Sequence, residues 1–125
     1  MPCPFCNLKS SDIIAESEYS IAKLDGFPVS VGHTLIISKR HVADFFELSQ
    51  SEQLDILKLL NEVKEKYDDQ FNVGNYNVGL NCGPLAGQTV GHVHMHLIPR
   101  REGDVNDPRG GVRCVIPDKA KYWDE

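Results

Sequence analysis

The densest chemistry in this chain lies in His92-Val93-His94-Met95-His96-Leu97-Ile98, where three histidines alternate with apolar residues. Period two is the repeat of a β-strand. The spacing therefore predicts three imidazoles on one sheet face, with Val93, Met95 and Leu97 packed behind them. Neutral imidazole attacks electrophilic phosphorus or carbon well, because its ordinary pKa is about 6.5. One histidine of such a row can attack while a neighbour orients it or donates to the leaving group. His94, with a histidine on either side, is the nucleophile candidate on spacing alone. The same residues could also be metal ligands, or polar residues on a solvated face. One zinc ion held by all three fits poorly, because alternate strand residues lie about 6.5–7 Å apart and zinc–nitrogen bonds are about 2 Å.

The run Gly83-Pro84-Leu85-Ala86-Gly87-Gln88-Thr89 precedes the histidines. Its glycine amides, the Gln88 amide and the Thr89 hydroxyl are groups that a phosphate needs. That neighbourhood favours catalysis over a merely structural role for the row. A further histidine, His33, opens the run Thr34-Leu35-Ile36-Ile37-Ser38, and the N-terminal segment carries Cys3-Pro4-Phe5-Cys6.

These residues need a scaffold, and the patterning supplies one. Strands are expected near Ile13–Glu16 and Tyr19–Leu24, with a turn at Asp25-Gly26-Phe27-Pro28. The β-branched run from His33 to Ser38 suits a buried central strand. Ser49 and Glu52 have capping-box spacing ahead of a long helix, with Leu54, Leu57, Leu60 and Val63 as its stripe and Ile56 and Tyr67 near the edge. A shorter helical turn is expected around Ala43–Glu47. Two more strands follow, about Asn75–Asn81 and His92–Ile98, and Pro99 should end the last because it cannot donate to a ladder. The fold class is α+β: a mostly antiparallel five-stranded sheet with one main helix and a shorter one. Residues 1–125 read as one domain, with 1–10 an N-terminal CxxC segment and 104–125 a tail.

The totals exclude several partners. A net charge of −5 argues against a nucleic acid held by its phosphate backbone. The basic pairs Lys39-Arg40 and Arg100-Arg101 could hold one small anion, or simply solvate strand ends. No apolar stretch approaches the ~20 residues that cross a bilayer, so no membrane partner is expected. The N-terminus lacks a secretory pattern, which points to the cytoplasm and to reduced thiols or metal ligands among the four cysteines.

The stretch Gly87-Gln88-Thr89-Val90-Gly91-His92-Val93-His94-Met95-His96-Leu97-Ile98-Pro99-Arg100 resembles the signature of the histidine-triad (HIT) nucleotide hydrolases and transferases. The resemblance extends to the Gly32–Ile37 run and the following helix, about residues 1–103. The loop and Arg100–Asp104 look most like the fragile-histidine-triad, dinucleoside-polyphosphate-hydrolase branch. That resemblance implies that His94 attacks an α-phosphate and forms a nucleotidyl-imidazole intermediate that water releases. It implies that His96 contacts the phosphate and protonates the leaving oxygen, that His92 orients the site and that His33 supports it. By the same resemblance Gly87, Gln88 and Thr89 contact phosphate, and Asp25 meets the ribose hydroxyls. The superfamily's sugar-phosphate transferases carry Gln at the third triad position; His96 here favours water as acceptor.

Cys3 and Cys6 invite two readings, a pair of free thiols or half of a zinc site. His41 lies outside the triad and His33. Some family members with an N-terminal CxxC carry zinc on such a set, so the resemblance implies a structural Cys₂His₂ site of Cys3, Cys6, His41 and His92. His92 would then be a ligand rather than a freely titrating catalytic helper. The fragile-histidine-triad branch usually lacks this pair, a departure from the nearest pattern. Cys82 and Cys114 read as ordinary thiols. No catalytic cofactor is implied. The expected substrate is an adenosine-type nucleotide, such as a dinucleoside polyphosphate. An adenosine phosphoramidate, or a nucleotide-binding signalling module with slow turnover, is the alternative. The family also implies a homodimer, and tail residues Arg109, Arg113 and Trp123 either approach substrate or partner or serve as solvated-tail and packing residues.

Overall fold

The computed structural model describes residues 3–124. Five strands, β1 (Ile13–Glu16), β2 (Ser20–Leu24), β3 (Thr34–Ser38), β4 (Asn75–Gly79) and β5 (His94–Arg100), form one sheet in the order β1-β2-β3-β5-β4. Every neighbouring pair is antiparallel. The helix α1 (Gln50–Phe71) packs on one face, and a second short helix, α2 (Pro117–Ala120), lies in the tail. The turn expected near Ala43–Glu47 is a 3₁₀ turn at Phe45–Glu47, capped by the Asp44 carboxylate. No helix among the described residues is long and apolar enough to cross a membrane.

The capping box forms as its spacing demands. The Ser49 hydroxyl accepts from the Glu52 amide at 3.1 Å, and Glu52 accepts from the Ser49 amide at 2.9 Å. The buried stripe of α1, however, is Glu52, Ile56, Leu59, Val63 and Tyr67, while Leu54 and Leu57 stay 60% and 44% exposed. The helix is apolar around a wide arc, and polar anchors choose its rotation. Glu52 is gripped by Arg40 at 2.9 and 3.0 Å, and the Tyr67 hydroxyl bonds the Thr34 hydroxyl at 2.7 Å. Ile56, Leu59 and Val63 lie between those anchors and meet Ala22, Ile36, Val93, Met95 and Leu97 in the core.

The last strand begins at His94 rather than His92 and runs through Pro99 to Arg100. Pro99 is tolerated because the ladder between β3 and β5 stops at Thr34 and Leu97. Beyond that pair, the Pro99 carbonyl accepts from the Ser30 hydroxyl at 2.8 Å, and no strand waits for the missing N–H. The side chains of both basic pairs make contacts within the fold. Lys39 pairs with Glu16 and Arg40 with Glu52; Arg100 pairs with Asp104, and Arg101 stacks over Phe71.

Candidate active site

β5 divides its side chains between two faces. Met95, Leu97 and Pro99 are buried, and His94 and His96 face outward into a cleft of about 530 Å³. Leu35 lies opposite His96 on β3 and forms part of the cleft wall; Gly79 lies opposite His96 on β4. The absence of a side chain at Gly79 leaves the histidine open on that side. Phe5, Asp25, Phe27, Gly87 and Thr89 complete the walls.

The hydrogen bonds assign a tautomer to each imidazole of the cleft. His94 Nδ1 lies 2.8 Å from the His92 carbonyl oxygen. A carbonyl only accepts, so Nδ1 carries the proton and Nε2 keeps its lone pair. His33 Nδ1 accepts the Val29 amide at 3.1 Å, which places the neutral ring's proton on Nε2. That Nε2–H faces His96 Nδ1 at 2.9 Å and the Asp25 carboxylate at 3.3 Å. His96 Nδ1 is therefore an acceptor, and its own proton sits on Nε2. Two neighbouring rings, with centroids 5.3 Å apart, thus present opposite characters: a bare nitrogen on His94 and an N–H on His96. Burial pushes the His33 imidazole below its ordinary value, against the opposing pull of Asp25. Burial does the same for His96, where a positive charge would also meet repulsion from its histidine neighbours and Asp25 pulls the other way. Both rings are held neutral.

Asp25, His33 and His96 lie close enough to suggest a metal site. The Val29 amide argues for a hydrogen-bond chain instead, because it occupies the His33 lone pair that would otherwise free Nε2 for a metal. One Asp25 oxygen is also committed to the turn, accepting the Phe27 amide at 2.8 Å.

The loop residues divide. Gly87 and Thr89 line the cleft. Gln88 does not. Its side-chain oxygen accepts from the Gly83 amide at 2.8 Å, and its nitrogen donates to the Ala43 and Val90 carbonyls at 2.8 and 3.0 Å. The Gln88 amide thus braces the loop from behind.

His92 leaves the row. It is fully buried, with Nε2 donating to the Ser38 carbonyl at 2.6 Å and a bare Nδ1 aimed at the cysteine pair. Nδ1 lies 3.3 Å from Cys3 Sγ, 3.7 Å from Cys6 Sγ and 3.2 Å from His41 Nδ1; Cys6 Sγ and His41 Nδ1 are 3.2 Å apart. Tetrahedral zinc with bonds of about 2.0 Å to nitrogen and 2.3 Å to sulfur needs donor separations of about 3.3 Å between nitrogens and 3.5 Å between nitrogen and sulfur. The four residues fit that ion, and the Ser38 carbonyl supplies the outer contact that orients a ligating imidazole.

The tail reaches the site's surroundings through residues not anticipated from sequence. Arg109 stacks on Trp123 and Arg113 on Tyr122, so these four fold on one another. Val112 and Val115 instead line a groove that His33 and His96 share with the main cleft. The sequence reading also missed Phe5, whose ring lies 5.0 Å from that of His94. Its position between the two cysteines was the available signal.

A model of the HIT domain matches residues 8–103. The chain belongs to the HIT family. Among relatives of this HIT protein, the adenosine 5'-monophosphoramidase hnt1 of Schizosaccharomyces pombe is 42% identical over 104 residues, covering 80% of this chain and 75% of that one. The asymmetrical bis(5'-nucleosyl)-tetraphosphatase of the same yeast is 33% identical over 97 residues, 78% of this chain and 53% of that one. A zinc-bound histidine triad family protein from Mycobacterium smegmatis shares the fold with a TM-score of 0.74 at 32% identity, covering 82% of this chain and 77% of that one.

Proposed function

We propose that this HIT protein hydrolyses nucleoside phosphates at the α-phosphate, with dinucleoside polyphosphates as the leading substrate class. The observation that carries the reading is the pairing of a bare His94 Nε2 with a protonated His96 Nε2 in one cleft. In the first step the His94 Nε2 lone pair forms a bond to the α-phosphorus while the bond from phosphorus to the leaving oxygen breaks. The His96 Nε2 proton goes to that oxygen. The positive charge developing on His94 is relieved through Nδ1–H on the His92 carbonyl. In the second step water attacks phosphorus, His96 Nε2 takes its proton, and the nucleoside monophosphate leaves with His94 restored. Thr89 and Gly87 face the phosphate, and the Asp25 oxygen not bound to Phe27 serves the ribose or steadies His33.

Zinc is the proposed occupant of the Cys3, Cys6, His41 and His92 set, where it would supply a structural tether. No catalytic cofactor enters the reaction. We take residues 1–125 as one domain acting as a homodimer in the cytoplasm, on adenosine-type substrates.

The similarity to a monophosphoramidase supports a second reading, in which the bond broken is phosphorus–nitrogen. The histidines see the same α-phosphate in both cases. A panel of diadenosine tri- and tetraphosphate beside an adenylated amine separates them. Turnover of the polyphosphates above the amine is expected, and the reverse order favours the second reading. Absence of turnover on every adenylate anhydride, ester and amide overturns both and leaves nucleotide binding alone.

A further inference from the structure

We propose that Phe5 is a positioning residue for His94, and that metal at the Cys3, Cys6, His41 and His92 cluster sets its hold. The inference rests on the reading of His94 as nucleophile. Phe5 sits between two candidate ligands in sequence and wedges between a third ligand and the nucleophile in space. Its ring centroid is 5.0 Å from that of His94 at 61° and 5.9 Å from that of His92 at 83°. Both are edge-to-face contacts of the kind that fix the relative tilt of two rings.

The cysteine turn that carries Phe5 depends on its sulfur contacts. The Phe5 amide donates to Cys3 Sγ at 3.4 Å and the Cys6 amide to the Cys3 carbonyl at 3.3 Å. The sulfurs reach the body of the protein at His92 and His41. One divalent ion would satisfy all four lone pairs at once and fasten the turn to the sheet, whereas sulfur–imidazole hydrogen bonds are weak substitutes. The nucleophile therefore touches the cluster on two sides. The carbonyl of His92 accepts the hydrogen bond from its Nδ1–H, and the Phe5 ring limits its rotation. Misplacing a reacting group by about 1 Å costs about 100-fold in rate, so a loosened Phe5 should register in the chemical step.

The test combines metal removal with Phe5→Leu, which keeps both thiols and an apolar side chain. Protein labelled with ¹⁵N in its histidines is stripped with a chelator and titrated with Zn²⁺ at one fixed pH. His94 ring signals and Phe5–His94 ring contacts are followed by NMR without substrate. The rate of nucleotidyl-His94 formation is measured separately in single turnover. Zn²⁺ is expected to restore one ring orientation and the Phe5–His94 contacts, and to raise adduct formation about 10- to 100-fold. Zinc-loaded Phe5→Leu is expected to bind the ion as before, form adduct slowly, and respond less to metal removal than the wild type. Identical His94 signals in stripped and loaded protein, full metal dependence in Phe5→Leu, or failure to bind Zn²⁺ each overturns the proposal. If zinc-loaded wild type forms no adduct while its His94 ring still responds to metal through Phe5, the hydrolase reading fails and the coupling stands.

Discussion

His33 Nε2 and His96 Nδ1, from strands β3 and β5 and their borders, meet at 2.9 Å, with the Asp25 carboxylate 3.3 Å from the same His33 nitrogen. The contact joins residues 63 positions apart and decides which nitrogen of His96 carries a proton. It thereby separates the two outward histidines of β5 into an attacking ring and a donating ring.

His94→Ala should remove turnover by about 10⁴-fold or more, because it removes the unprotonated Nε2 that would form the covalent intermediate. Nucleotide binding should change little, since the cleft walls remain. Isothermal titration beside a turnover assay checks both halves, and residual turnover within tenfold of wild type would exclude His94 as nucleophile.

His96→Ala should cost about 10²- to 10⁴-fold on substrates with poor leaving groups. The loss should shrink for an activated aryl nucleotide ester, whose leaving oxygen needs no proton. A leaving-group series compares the slopes for wild type and variant; equal losses across the series would remove His96 from the proton-donor role.

Stability should fall as the pH drops from 7 to 5. Burial lowers the His33 and His96 pKa values below the ordinary 6.5. Below 6.5 the unfolded chain binds protons that the native state refuses, so stability rises with pH across that window. The contribution is complete above 6.5 and is lost as the pH falls through the depressed values. Urea midpoints at pH 7 and 5 check this for wild type and His33→Gln, which should show the shallower decline.

Glu52→Gln should destabilise the protein by about 1–2 kcal/mol at pH 7, because Glu52 serves both the helix cap and Arg40. The Arg40 guanidinium, with the Ser49 amide, draws its pKa from 4.5 down to about 2. Its contribution is present above 4.5 and lost as the pH falls through about 2. The gap between variant and wild type in urea should accordingly narrow toward pH 2.

Gly32→Ala should cost about 1–3 kcal/mol. Gly32 has φ +93°, and a Cβ there would stand 3.2 Å from Pro99 Cγ and 3.3 Å from Phe71 Cε2. Since Gly32 directly precedes His33, activity should fall alongside the melting temperature.

Local signals in the chain reached far. A β-branched run placed β3 and a period-two run β5 to within two residues, the Ser49–Glu52 spacing placed the start of α1, and the glycine loop marked Gly87 and Thr89 at the cleft. Such signals are legible because each depends on residues a few positions apart, through strand alternation, caps or turn chemistry. The face of α1 that is buried was not legible. Leu54 and Leu57 suit a core as well as Ile56 and Leu59 do, and distant Arg40 and Thr34 settle the rotation.

The same division runs through the site. Residue types and spacing alone determined that His94 and His96 share a face, and left Cys3 and Cys6 open between free thiols and half of a zinc site. Tertiary structure decided that His92 turns away to the cysteines, that Gln88 braces its loop, and that Phe5 lies on the nucleophile. These outcomes depend on hydrogen bonds and ring contacts between segments up to 89 residues apart. No local pattern encodes such contacts, because they exist only once the sheet has brought those segments together.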